Sequence, residues 1–133
     1  MARRDLTGAV DFNHLEGFAQ GDEGLIEEVL NLFRQQAALW LPLLDPSAPD
    51  GAWRDAAHSL KGSALGVGAF EAARACEAAE QAFQEPLGVK AARLLSVRDA
   101  VDRALADIAA YAHERALQSL KSPPIELGAK DRI

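Results

Sequence analysis

Hydrophobic positions recur along this chain in steps of three and four, the period of helices that bury one face and leave the other in water. Phe12, Leu15 and Phe18 or Ala19 share one side of a short first segment, which Asp11 is placed to cap and Gly21 interrupts. A second stripe runs through Ile26, Val29, Leu30, Phe33, Ala37, Trp40 and Leu41, with Asp22 as the expected N-cap. Glu23, Glu27 and Glu28 suit the positive end of its dipole, and Pro42 stops it. Residues 42–51 are rich in turn formers and read as a loop, from which Leu43 and Leu44 are expected to tuck against the helix ends. Trp53, Ala57, Leu60, Ala64 and Val67 form the stripe of a third helix, opened by Asp50 or Gly51, weakened by Gly66 and ended by Gly68. The next follows from Ala69, with Glu71 near its start and an inner face of Phe70, Ala73, Cys76, Ala79 or Glu80, and Phe83; Pro86-Leu87-Gly88 is expected to end it. A long last helix, roughly Val89 to Leu120, carries Leu94, Val97, Val101, Leu105, Ile108 and Ala112, with Tyr111 alongside.

Four substantial amphipathic helices with mostly short connections predict an all-α, antiparallel up-and-down four-helix bundle with a short additional N-terminal helix. Residues 1–10 hold two arginines and no apolar pattern, and read as a loose arm ahead of a bundle over 11–119. Residues 120–133 have no period and read as a mobile tail.

Composition narrows the function classes. A chain of 133 residues, 49% apolar and 26% charged, is one globular domain with enough surface to bury for a single core. The net charge of −6 argues against a nucleic-acid binder, which needs a lysine- and arginine-rich face. No apolar run approaches the ~20 residues of a membrane span, and Met-Ala-Arg-Arg-Asp-Leu-Thr-Gly lacks the apolar stretch of a signal peptide. A single cysteine, Cys76, permits no internal disulfide. The expectation is a cytoplasmic monomer that touches neither membrane nor nucleic acid.

The third helix carries the chemistry. On a wheel of about 100° per residue, His58 points about 140° away from the buried stripe. Lys61 and Gly62 sit one turn along on the same outward side, and so does Leu65. A neutral imidazole nitrogen is a nucleophile that can accept a phosphoryl group and give it up again. The ammonium of Lys61 favours the neutral ring and then offsets the charge of the attached phosphoryl group. Glycine inside a helix costs roughly 0.5–1 kcal/mol relative to alanine, so Gly62 calls for a reason. Without a Cβ it lets a partner's carboxylate approach the imidazole.

Histidine and lysine on a solvated helix face are common, and the pair alone would not decide the matter. The fixed spacing decides it. His58-Ser59-Leu60-Lys61-Gly62-Ser63-Ala64, followed by Gly68-Ala69, resembles the signature of histidine-containing phosphotransfer (HPt) domains. The resemblance extends over about residues 11–119: Leu30-Asn31-Leu32-Phe33 is similar to the family's second-helix core, and Cys76-Glu77-Ala78-Ala79-Glu80 to its following helix. Ala79, where similar members often have a larger aliphatic residue, and the glycines at 62, 66 and 68 depart from the pattern and bear on helix stability rather than chemistry.

What the resemblance implies is a four-helix bundle in which His58 accepts and donates a phosphoryl group, Lys61 is its electrostatic partner, and Gly62 admits the other protein. The implied partners are receiver domains of a hybrid sensor kinase or of response regulators, which bring the aspartate and the Mg²⁺. Leu65 and Arg54 are expected in the docking face, with Glu80 and Gln84 approaching from the neighbouring helix. Leu65 has a second reading, a helix-end contact with the first helix. Residues 51–68 hold Arg54 and Lys61 against Asp55 alone, a slightly basic face suited to a receiver's carboxylates.

No glycine-rich nucleotide loop is present, so the protein is read as a phosphocarrier without an ATP-binding or kinase domain and without a cofactor of its own. His14, His113 and Cys76 have no zinc-site spacing; the histidines read as surface residues and Cys76 as a buried, inert thiol. The acidic cluster of Asp22, Glu23, Glu27 and Glu28 is explained by capping and dipole complementarity rather than metal binding. Two other functions compete. A helical interaction module would keep the bundle without transferring phosphate, and would tolerate His58→Gln. The dimerisation and phosphoacceptor part of a histidine kinase typically has an acidic residue after its histidine and two helices per chain, whereas Ser59 follows His58 here.

Overall fold

The computed structural model describes residues 7–121. Among these residues the chain is all helical: α1 (Phe12–Ala19), α2 (Glu23–Trp40), a single 3₁₀ turn (Leu41–Leu43), α3 (Asp50–Val67), α4 (Phe70–Gln81) and α5 (Leu87–Lys121). Local chemistry sets the boundaries. The Asp11 and Asp22 carboxylates accept from the N–H groups of His14 (3.1 Å) and Leu25 (3.0 Å), capping α1 and α2. Pro42 tightens the end of α2 into the 3₁₀ turn. Asp50 starts α3 directly after Pro49, and its carboxylate accepts from the buried Lys90 ammonium at 2.6 Å.

Gly68 fixes the geometry that matters most for function. It closes α3 with φ +84°, and the N–H of Ala69 returns to the carbonyl of Ala64 at 2.8 Å while that of Gly68 reaches Leu65 at 3.2 Å. The Gly68 carbonyl also accepts from Asp11 N–H at 2.9 Å. A Cβ on Gly68 would stand 3.0 Å from the Asp11 carbonyl oxygen, so both the backbone angle and the close approach require glycine. The chain therefore reverses within two residues, and α4 runs back along α3 in the most extensive helix–helix contact of the fold. Further packing joins α2 to α3, α4 to α5, and α2 to α5.

One core fills the space between them, with Leu15, Phe33, Leu44, Trp53, Leu60, Val97, Val101, Ile108 and Tyr111 buried. Each such large apolar side chain contributes roughly 1.5–3 kcal/mol by leaving water. Many of the buried residues of α3 and α4 are small: Ala56, Ala57, Ala64, Ala72, Ala73 and Ala79. Trp53 spans the α3–α4 seam: its indole Nε1–H donates to the Ala79 carbonyl at 2.7 Å.

Several expectations are corrected. The part of the arm within the described residues is packed: Ala9 and Val10 are buried, and the Asp107 carboxylate accepts from Thr7 N–H (2.9 Å), Thr7 Oγ1 (3.0 Å) and Ala9 N–H (2.9 Å). A buried acid on α5 organises this segment, although the segment has no helical period of its own. Residues 1–6 of the arm and 122–133 of the tail lie outside the described residues. Leu44 is buried, but Leu43 points outward, because the 3₁₀ turn places successive side chains a third of a turn apart. Pro86-Leu87-Gly88 starts α5 rather than ending α4, since proline suits the first turn of a helix, and the Pro86 carbonyl accepts from Val89 and Lys90. On α5, Ala112, expected in the buried stripe, is exposed, and Tyr111 is inside, its ring stacked on Phe12 at 4.2 Å. Phe18 is exposed and Ala19 buried.

Candidate functional site

Helix periodicity places Arg54, His58, the adjacent Lys61 and Gly62, and Leu65 on the outward side of α3, in successive turns. The His58 side chain is 67% exposed, and its Nδ1 lies 3.0 Å from Glu80 Oε2. The other Glu80 oxygen, Oε1, stands 2.9 Å from Lys61 Nζ. One carboxylate on α4 thus bridges the two residues of α3. Glu77, one turn earlier on α4, places Oε1 3.4 Å from the same Nζ and accepts from Gln81 Nε2 through Oε2 at 3.1 Å.

This arrangement fixes the imidazole tautomer. Partial burial, the largest single influence on Glu80, pushes its carboxyl up, but the hydrogen bonds from Lys61 and His58 outweigh it and hold the group below the usual carboxylate range. An ionised carboxylate only accepts, so the proton of a neutral His58 resides on Nδ1 and is donated to Glu80. Nε2 keeps its lone pair on an exposed ring. The hydrogen bond to Glu80 is also the main reason the Lys61 ammonium is raised above its ordinary value, so Lys61 is charged throughout the physiological range.

The surroundings support close approach. A Cβ at Gly62 would meet no atom within 4 Å, so the fold itself does not require glycine there, and the backbone beside His58 lies open. Leu65 is 46% exposed and lines a groove towards α4 with Phe70, Ala73 and Ala78. The Arg54 guanidinium lies over the Phe83 ring at 4.9 Å, one turn before His58. Gln84 is exposed after the end of α4, and among the described residues no hydrogen bond joins it to His58. The structure therefore gathers His58, Lys61 and Glu80 in direct contact, with Gly62, Leu65 and Arg54 around them and Gln84 apart. Glu77 is the residue that sequence reasoning missed. Its signal was its position three residues before Glu80, on the same face of α4.

Other candidates resolve simply. Cys76 is fully buried beneath this face, and burial pushes its thiol up to about 12. The ring of His14 packs edge-on against Phe70 at 5.4 Å, and His113 is exposed. Glu23 pairs with Arg115 at 2.7 Å. Among the described residues no group of three or more histidine, cysteine or acidic side chains is placed to hold a metal ion, and no helix is long and apolar enough to cross a membrane.

Comparison with known proteins identifies the family. The family model of the Hpt domain matches residues 23–114. The crystal structure of the histidine phosphotransferase ShpA from Caulobacter crescentus superposes with a TM-score of 0.70 at 57% sequence identity, covering 86% of this chain and 100% of that one. No curated protein matches the sequence. The family model matches most of the chain and the relative is 57% identical over its whole length: the chain belongs to the Hpt domains, the histidine-containing phosphotransfer proteins of two-component signalling.

Proposed function

We propose that this protein carries a phosphoryl group between receiver-domain aspartates, with His58 as acceptor and donor. The observation that carries this reading is the bridge of Glu80 between His58 Nδ1 and Lys61 Nζ, which leaves Nε2 as the free nucleophile on an exposed face. The Nε2 lone pair attacks the phosphorus of an aspartyl phosphate. The P–O bond to the aspartate breaks, its electron pair remains on the leaving carboxylate, and an Nε2–P bond forms. The ring becomes cationic, and the Glu80 carboxylate on Nδ1–H stabilises that charge as it develops. Lys61 offers its charge to the phosphoryl oxygens, and return of the group reverses each step. Little covalent work falls to the protein, so positioning and charge carry the catalysis.

Gly62 admits the partner's backbone, and Arg54, Leu65 and Gln84 make up its docking face. The partner is the receiver domain of a hybrid sensor kinase or a response regulator, which supplies the aspartate and the Mg²⁺. The architecture suits this role as an antiparallel up-and-down bundle of α2 to α5 with α1 across one end. Supporting it are the contacts between successive helices, the closing contact of α2 with α5, and the Glu23–Arg115 pair that joins the start of α2 to the end of α5. We place the working domain at residues 11–119, extended by the segment 7–10 that Asp107 and the burial of Ala9 and Val10 hold to it, and read it as a cytoplasmic monomer.

The test is phosphoryl transfer from a phosphorylated receiver domain to the wild-type protein and to His58→Gln. An acid-labile, alkali-stable label on wild type that is absent from the folded variant supports the reading. If several receivers leave folded wild type unlabelled, the protein is a helical interaction module instead.

A further inference from the structure

Glu77 never reaches His58, yet it is built into the site. Its carboxylate is anchored along α4 by Gln81 through Oε2 and presents Oε1 to Lys61 at 3.4 Å. Lys61 therefore lies between two carboxylates, Glu77 and Glu80, before any phosphoryl group arrives. A phosphoryl group brings about two negative charges at neutral pH. To be neutralised it must draw Lys61 away from one of these carboxylates. Glu80 is held in place by the Nδ1 proton as well as by Lys61, so the longer Glu77 contact is the one the phosphoryl group has to displace. Of the other cations nearby, Arg54 lies over the ring of Phe83 and Arg74 lines the groove beside Glu77.

We propose that Glu77 is a positioning residue that competes with the phosphoryl group for Lys61, keeping phosphohistidine sparsely occupied and the group poised to leave for a receiver. This rests on the phosphocarrier reading and adds the poise of the exchange to it. Glu77 takes no part in bond making. On the way to His58 one P–O bond is exchanged for one P–N bond and the aspartate carboxylate keeps the electron pair; on return one P–N bond is exchanged for one P–O bond, the carboxylate spends that pair, and the Nδ1 proton stays where it is in both directions.

The experiment measures forward and return transfer rates between the full chain and one receiver domain, and takes their ratio. Glu77→Gln raises the ratio in favour of phosphohistidine by about two- to fivefold at low salt, chiefly through slower return. In about 0.5 M salt the shift shrinks. Glu77→Asp, which keeps the charge, stays closer to wild type than the glutamine variant. In a Lys61→Ala background, adding Glu77→Gln changes the ratio by less than about 1.5-fold, because the residue it acts through is gone. The inference is overturned if Glu77→Gln labels like wild type with an unchanged ratio, or if its shift persists undiminished without Lys61. A wild-type protein that takes no label overturns the phosphocarrier reading and this inference together.

Discussion

Replacing Asp107 by alanine tests whether the chain ahead of α1 is part of the fold. Asp107 is 1% exposed, and it receives the Ala9 amide in a buried bond at 2.9 Å and Thr7 through two part-buried bonds at 2.9 and 3.0 Å. A buried hydrogen bond to a charged group is worth about 1.5–3 kcal/mol, and the Thr7 groups can turn to water and recover most of theirs. Together these give a loss of about 2–4 kcal/mol. At about 2.1 cal/mol/K per residue, the unfolding entropy of 133 residues is about 0.28 kcal/mol/K, so the melting temperature falls by about 7–14 °C. Differential scanning calorimetry reads the shift, and hydrogen exchange reads the Ala9 amide, which should lose its protection. Phosphoryl transfer to the folded variant should stay within about twofold of wild type, since Asp107 and the His58 face lie on different elements. A shift below about 2 °C with Ala9 still protected would refute the reasoning.

Other substitutions separate fold from site. Gly62→Ala stabilises α3 by about 0.5–1 kcal/mol, because its methyl meets no atom within 4 Å, yet it slows transfer from a receiver several-fold; a urea titration and a transfer assay should move in opposite directions. Glu80→Ala slows phosphorylation of His58 by about 10–100-fold by freeing the ring, and Glu80→Gln, which can still accept from Nδ1–H, retains more activity in the same assay. Cys76 stays unreactive to a thiol reagent at pH 8 until the protein is unfolded. Its thiol is raised to about 12 in the folded state, so the unfolded chain loses that proton first. Its contribution to stability is whole below about pH 9 and falls as pH rises towards 12, and Cys76→Ala flattens that part of the stability profile measured by denaturant titration.

Much of this was legible in the residues because a helix records its buried face in its own period. The stripes through Phe33, Trp53, Leu60, Val97 and Ile108 all point inward as their spacing requires. His58, Lys61 and Gly62 were legible because one helix carries them all. What escaped depends on contacts between elements. Thr7, Ala9 and Val10 have no period; Asp107, about a hundred positions away, holds Thr7 and Ala9, and Val10 joins the core beside them. Tyr111 was set beside the stripe of α5, yet the Phe12 ring draws it inside, and its hydroxyl donates to Glu16 at 2.7 Å. Ala79, small for its position by resemblance, stands where the Trp53 indole crosses to its carbonyl. Glu77 looked like any acid on a solvated helix, and only the approach of α4 to α3 shows that it holds Lys61.

The measurement that bears most directly on the central claim is nuclear magnetic resonance of the phosphorylated protein labelled with ¹⁵N in its histidines. If Glu80 holds the Nδ1 proton and leaves Nε2 to react, a ³¹P–¹⁵N coupling appears at Nε2 of His58, and neither His14 nor His113 changes. Coupling at Nδ1, or a phosphoryl group on any other residue, would contradict the account.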